Sequence, residues 1–343
     1  MNSGTLPNDP RLDALRQWLF ECFSGRSFEL APASADASFR RYFRIFEGTN
    51  TWIAMDAPPP QEDVRPFVKI AQALQAAGLN VPLIHAQDTA RGFLLLSDLG
   101  STHYLAALNA GVAASSLYPA AAAALLKMQT SSNLLVGLQR YDAEVFAREV
   151  ALFPEWFVAR HLQLPLNEAL GELLKRVLHR VDLAVGQQPY VFVHRDYHCR
   201  NLMVCGEATP GILDFQDAIE GPLTYDLVSL YKDCYWRWPR SQVTAWVEDY
   251  RRRAAATGLA VSDTASFLHS FDLMGLQRHL KVLGIFARLW YRDGKKNYLN
   301  DLPMVLDYVL EVARLYPELS DLDRYLTDHV LPGFEAAQAR ALA

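Results

Sequence analysis

The chain has 343 residues, of which 51% are hydrophobic and 21% charged, and its formal net charge is −5. That balance gives no basic surplus to meet a nucleic-acid backbone, no apolar run reaches the length of a membrane span, and Met1 to Pro7 lacks the basic and apolar regions of a signal peptide. The expectation is therefore a cytoplasmic enzyme with neither nucleic-acid nor membrane partners. Its four cysteines, Cys22, Cys199, Cys205 and Cys234, are too few for a disulfide framework, and its length exceeds one ordinary core and predicts two lobes.

Leu12, Leu15, Leu19 and Phe23 recur at helical spacing and predict an amphipathic helix over 11–23. Phe39 to Phe46 and Thr51 to Asp56 read as strands about the turn Glu47-Gly48-Thr49-Asn50. Pro58-Pro59-Pro60 stops the second strand, a helix runs over 66–77 to Gly78, and strands follow over 81–87 and 92–96. A hairpin, a helix and a strand pair in this order suit a small nucleotide-clamping lobe. Beyond Gly100 the pattern is mostly helical, over 120–128, 144–160, 166–185, 226–235, 242–256, 267–291 and 302–315. The interruption is a strand over 190–193, then a pair over 202–204 and 211–213 around a turn at Gly206 to Pro210.

That interruption carries the chemistry. The strand delivers the chain to His194-Arg195-Asp196-Tyr197-His198-Cys199-Arg200-Asn201, and Asp214-Phe215-Gln216 begins thirteen residues after Asn201. This is the spacing H-R-D-x-x-x-x-N with a downstream metal-binding Asp. Phosphoryl transfer needs a carboxylate to take the acceptor hydroxyl's proton, an amide oxygen on Mg²⁺ and a second carboxylate bridging the metals; Asp196, Asn201 and Asp214 supply them in that order. A zinc site from His194, His198, Cys199 and Cys205 lacks paired-ligand spacing. Simple turn or capping roles do not explain two Asp and one Asn held between strands in this order.

With these residues in hand, the chain resembles the aminoglycoside phosphotransferase family, the small-molecule branch of the protein-kinase-like fold. Ser38 to Arg44, Met55 to Pro60, Gly92 to Gly100 and Asp214 to Ala218 resemble more narrowly the kinases that phosphorylate the anomeric C1 hydroxyl of N-acetylmuramate and N-acetylglucosamine in peptidoglycan recycling. The resemblance implies an α+β, two-lobed fold: a small antiparallel-sheet N-lobe over 1–96, a hinge over 97–99, and a mainly helical C-lobe over 100–343 holding the catalytic loop and acceptor site. It implies ATP and Mg²⁺ as cofactors and a small-molecule amino sugar as partner. Asp196 would be the base, Asn201 and Asp214 the metal ligands, and Ser97 to Leu99 the hinge that meets adenine; His194 would brace the loop, and Asp226 would stand behind it. The alternatives are a kinase of another small alcohol, such as an aminoglycoside or choline, and a non-catalytic pseudokinase-like binding module.

Two departures motivate that last alternative. Where a glycine-rich loop would cover the phosphates the chain has Ala33-Ser34-Ala35-Asp36-Ala37-Ser38, so Ser34, Ser38 and backbone amides are the candidate cradle, against a plain polar loop. Where the phosphate-pairing lysine would stand there is Met55. The two-residue period turns Arg41 and Arg44 to opposite faces, and Arg44 is the favoured replacement, against both being surface arginines. On the acceptor side, Arg278, Lys281, Arg288 and Arg292 share one helical stripe that suits an anionic acceptor, against a solvated face. Of Trp156, Tyr235, Trp236 and Trp238, at most one is expected to touch a sugar, because helical aromatics usually fill cores.

Overall fold

Alternation of side chains sorts the N-terminal strands onto two buried faces. In a computed structural model, which describes residues 9–35, 39–206 and 209–342, β1 (Glu29–Ala35), β2 (Arg41–Glu47), β3 (Asn50–Asp56), β4 (Ile84–Asp88) and β5 (Phe93–Ser97) form an antiparallel sheet in the order β1-β2-β3-β5-β4. On one face Ile45, Ala54, Phe93 and Leu95 pack against Leu12, Leu15, Trp18 and Leu19 of α1 (Pro10–Cys22), a helix capped by the Asp9 carboxylate. On the other, Met55, Leu94 and Leu96 meet Phe67, Ile70 and Leu74 of α2 (Arg65–Ala76). Each such fully buried Leu or Phe contributes roughly 1.5–3 kcal/mol, so the two helices hold the sheet flat between them.

The hairpin register pairs Arg41 with Asp56 and Tyr42 with Met55. Tyr42 and Arg44 therefore share the face of Met55, while Arg41 lies on the α1 face, where its guanidinium pairs with Asp56 and Asp9. The polar stretch expected as a loop from Ala33 is strand as far as Ala35, with a register shift between Pro32 and Ser34. Gly92 (φ +75°) is required by contact: a Cβ there would lie 1.9 Å from the Ala57 carbonyl oxygen.

The sheet ends at Ser97, and the remainder is helical apart from two small strand pairs: α3 (Tyr104–Asn109), α4 (Ala114–Thr130), α5 (Ala143–Val150), α6 (Glu168–Gly186), α7 (Tyr225–Tyr231), α8 (Arg240–Ala256), α9 (Thr264–Tyr291), α10 (Leu302–Leu315), α11 (Ser320–Tyr325) and α12 (Leu331–Leu342). The single helix expected over 144–160 is instead α5 followed by a π-helical segment, Phe153–His161, because Pro154 lacks the N–H that would continue the ladder. Long α9 runs through the centre of this lobe, buried along most of its length from Phe267 to Ala287. It approaches the chain before the π-helical segment so closely that a Cβ on Gly284 would lie 2.3 Å from the Leu152 carbonyl.

The strand pairs carry the motif. β7 (Leu202–Cys205) and β8 (Thr209–Ile212) form the expected hairpin, with Leu202 opposite Ile212. β6 (Tyr190–Val193) pairs with a strand the sequence did not betray, β9 (Ile219–Pro222), whose Gly and Pro give it weak strand character. Among the described residues no helix is long and apolar enough to cross a membrane.

Candidate active site

The catalytic loop starts where β6 ends and is held from four sides. From behind, the Asp226 carboxylate at the start of α7 accepts the backbone N–H groups of His194 (2.6 Å) and Arg195 (2.9 Å). His194 places Nε2 2.9 Å from the Leu213 carbonyl, which ties the loop to the residue preceding Asp214. From α9, Arg278 Nη1 donates to the Arg195 carbonyl at 2.7 Å while its guanidinium lies over the Tyr225 ring, 4.6 Å from the centroid. From α5, Glu149 takes the Arg195 guanidinium at 2.7 Å. Such over-determination maintains left-handed backbone at Arg195 (φ +78°) and Asp214 (φ +62°), conformations that side chains other than glycine rarely adopt.

The three residues singled out by spacing come together. Asn201 Nδ2 lies 3.0 Å from the Asp196 carbonyl and 3.3 Å from Asp214 Oδ2, and the Leu213 N–H donates to the Asn201 carbonyl at 2.9 Å. Gln216 Nε2 donates to Asp214 Oδ1 at 2.9 Å. From α2, Phe67 packs on Phe215 with ring centroids 4.8 Å apart, which joins that helix to the segment bearing Asp214. Burial pushes the Asp196 carboxyl up, but His198, Arg278 and Lys281 outweigh it and hold the group below its ordinary range, in the proton-accepting form. Asp226, by contrast, is pushed up to about 6 by burial, against the pull of His194.

Glu149 anchors the charges behind the loop. Besides Arg195, its carboxylate accepts from Lys281 Nζ at 2.6 Å, Gln277 Nε2 at 2.8 Å and Tyr141 Oη at 3.1 Å. Burial raises its pKa, but Lys281 and Arg195 more than reverse this and bring it to about 2. The basic stripe is thereby divided. Arg278 and Lys281 are buried and already partnered, Arg288 is half-buried, and exposed Arg292 pairs with Asp293 at 2.7 Å. Fourteen residues of helix extend about 21 Å, too far for one monosaccharide to span, so the four do not present a single face to a ligand.

Arg44 shares the face of Met55 but binds elsewhere than expected. Its guanidinium grips the Asp98 carboxylate through Nε (2.7 Å) and Nη2 (3.1 Å) and donates to the Gly100 carbonyl at 2.8 Å, which ties β2 to the segment that follows β5. Ser97 donates its N–H to the Leu83 carbonyl and accepts the Leu83 N–H at Oγ, both at 2.9 Å, and the Leu99 carbonyl lies 3.2 Å from Cys205 Sγ. Ser34 lies on β1 opposite Tyr42, and Ser38 falls outside the described residues.

Several neighbours of Asp196 escaped the reading of the sequence. His198 is edge-on to Tyr235 at 5.3 Å, and its buried Nδ1 has no hydrogen-bond partner among the described residues. Tyr235 also lies 3.6 Å beneath the Arg200 guanidinium, whereas Trp238 joins the cluster of Tyr118 and Trp246 and Trp236 packs on Trp238. Asp233 shapes this wall by accepting the N–H groups of Tyr235 (2.8 Å) and Trp236 (2.7 Å). Nearby Asp301 is pushed up to about 6 by burial, partly offset by Arg200. Of these, the sequence offers His198 as a metal candidate and Tyr235, Trp236 and Trp238 as sugar contacts, and nothing in it marks Arg200, Asp233 or Asp301. Across the cleft, Arg40 at the mouth of β2 reaches Asp214, with Nη2 3.5 Å from Oδ1.

Comparison with known proteins places this geometry. A model of the phosphotransferase enzyme family matches residues 29–264. The N-acetylmuramate/N-acetylglucosamine kinase of Pseudomonas aeruginosa is 47% identical over 335 residues, covering 94% of this chain and 97% of that protein. The protein of the same name from Neisseria meningitidis serogroup B is 41% identical over 321 residues, covering 92% and 95%. Among solved structures, choline kinase LicA of Streptococcus pneumoniae superposes with a TM-score of 0.60 at 12% identity over 87% of this chain and 99% of that one. The gentamicin complex of APH(2")-IIa gives 0.60 at 12% identity over 88% and 97%.

Proposed function

The chain belongs to the phosphotransferase enzyme family, and from that membership we propose that it transfers the γ-phosphoryl group of ATP to the anomeric hydroxyl of N-acetylmuramate and N-acetylglucosamine. The observation that supports this reading is that Asn201 ties the backbone of Asp196 to the Asp214 carboxylate, with Nδ2 3.0 Å from the Asp196 carbonyl and 3.3 Å from Asp214 Oδ2. The names of the relatives from Pseudomonas and Neisseria supply the acceptor.

Asp196 accepts the proton of the acceptor hydroxyl as that oxygen bonds to phosphorus, and Arg278 and His194 hold the loop so that the carboxylate is aligned beforehand. His198, whose buried Nδ1 has no hydrogen-bond partner among the described residues, and Tyr235, edge-on to it, line the wall beside this loop. Ser97 to Leu99 form the hinge, fixed by Arg44 and Asp98, at which the adenine base is expected. The Asn201 amide oxygen and the Asp214 carboxylate are hard oxygen donors of the kind that hold Mg²⁺ together with substrate phosphates. Such an ion, when bound, neutralises charge on the phosphates. The basic stripe serves this reading through Arg278 and Lys281, which lower the Asp196 carboxyl. A cytoplasmic enzyme accords with cysteines that are all free among the described residues.

The test is ATP turnover with N-acetylmuramate, N-acetylglucosamine, their methyl glycosides blocked at C1, an aminoglycoside and choline. Turnover with the two free sugars and none with the glycosides is the expected result. Equal turnover with the blocked sugars removes the anomeric assignment, and turnover with choline or the aminoglycoside alone removes the amino sugar.

A further inference from the structure

The chain places Met55 where its fold would pair a lysine with the nucleotide phosphates, and Met55 is 1% exposed, a packed member of the core against α2. No cation comes from β3 at all, since Asp56 points to the opposite face and is held by Arg11 and Arg41. Arg44, on the correct face, is taken by Asp98 at the hinge end of β2. One further arginine stands nearby: Arg40 immediately precedes β2, at the end of that strand away from the hinge.

Resting on the phosphotransferase reading above, we propose that Arg40 replaces the missing lysine as the cation that binds the transferred phosphate, with Glu62 as its positioning partner. Arg40 Nη2 lies 3.5 Å from Asp214 Oδ1, so phosphates held at that carboxylate through Mg²⁺ would lie within reach of the guanidinium. Glu62 addresses both the residue and its approach. Its carboxylate accepts the Phe39 N–H at 3.1 Å and lies 3.9 Å from Arg40 Nε. The Arg40 side chain is only 11% exposed and Glu62 20%, so water screens this pair poorly. A guanidinium suits the place, because its fork can address a phosphate while one edge stays with a carboxylate, which a lysine ammonium does less well.

The experiment compares wild type, Arg40→Gln, Arg40→Lys and Glu62→Gln by calorimetric titration with ATP, ADP and adenosine in the absence of divalent metal, alongside turnover and thermal midpoints. Arg40→Gln is expected to weaken ATP about 10- to 100-fold, the loss of one charge-assisted hydrogen bond, while adenosine is unchanged. Arg40→Lys should recover part of that loss, and Glu62→Gln should lower kcat with a smaller effect on ATP affinity. Unchanged ATP affinity in Arg40→Gln, or equal losses for ATP and adenosine, overturns the assignment. So does a fall in thermal midpoint with unaltered discrimination between ATP and adenosine, which marks Arg40 as a tie between the lobes. If the wild type binds adenine nucleotides and phosphorylates sugar while Arg40→Gln behaves alike, only this assignment fails; a wild type that binds no adenine nucleotide removes both.

Discussion

Replacing Glu149 by Gln should destabilise the protein by an amount its surroundings allow to be worked out. The carboxylate is almost fully buried and holds two cations, Lys281 at 2.6 Å, which is itself buried, and Arg195 at 2.7 Å, which is partly exposed. Its fall from the ordinary 4.5 to about 2 corresponds to about 3 kcal/mol. Removing one partner of a buried ion pair typically costs 3–5 kcal/mol, so the two routes agree at about 3–5 kcal/mol. At ~2.1 cal/mol/K of unfolding entropy per residue, a chain of 343 residues should lose roughly 4–7 °C in thermal midpoint. The pH dependence has a definite sign. A carboxyl whose folded pKa lies below its unfolded one contributes stability that is present above about pH 4.5 and lost as pH falls through about 2. The gap between wild type and Glu149→Gln should therefore shrink to under half of its neutral value by about pH 3. Thermal unfolding of both proteins at pH 7 and pH 3 measures it. A gap below about 1 °C at pH 7, or one independent of pH, would refute the assignment of Glu149 as an ionised anchor.

Three other outcomes are expected. Asp196→Asn should lower kcat by roughly 10²–10⁴ with nucleotide affinity nearly intact, measured by steady-state turnover and titration with ATP; full activity would remove Asp196 from the chemistry. Arg44→Gln should weaken ATP and adenosine by the same several-fold factor, since it loosens the hinge and not a phosphate contact; selective loss of ATP would assign Arg44 to the phosphates after all. Gly284→Ala should lower the thermal midpoint through a backbone collision with Leu152, at a cost of about 1–3 kcal/mol, and a neutral result would mean that α9 can shift to make room.

Local order determined a good deal of this protein. The spacing of Asp196, Asn201 and Asp214 between strand signals anticipated that the three would be neighbours, because a loop and hairpin of fixed length constrain which residues can meet. Apolar periodicity found α1, α2, α9 and α10 to within a few residues, because each buries one stripe or its whole circumference. Strand β9 and the break at Pro154 were missed where Gly and Pro weakened the local signal or a single residue outweighed a long helical pattern.

The fate of each charge was decided only in three dimensions. Lys281 looks like its neighbours on the stripe, yet Glu149 lies 132 residues away and reaches it only after α5 packs on α9. Arg40 and Arg44 lie four residues apart, and what separates them is a partner 174 residues away for the first and 54 for the second. A sequence fixes which side chains share a face of an element, since the helical and strand periods are properties of the local backbone. Which opposite charge waits on the far side of a cleft depends on how the lobes pack, because a Coulomb interaction acts over a few ångströms of space and takes no account of distance along the chain.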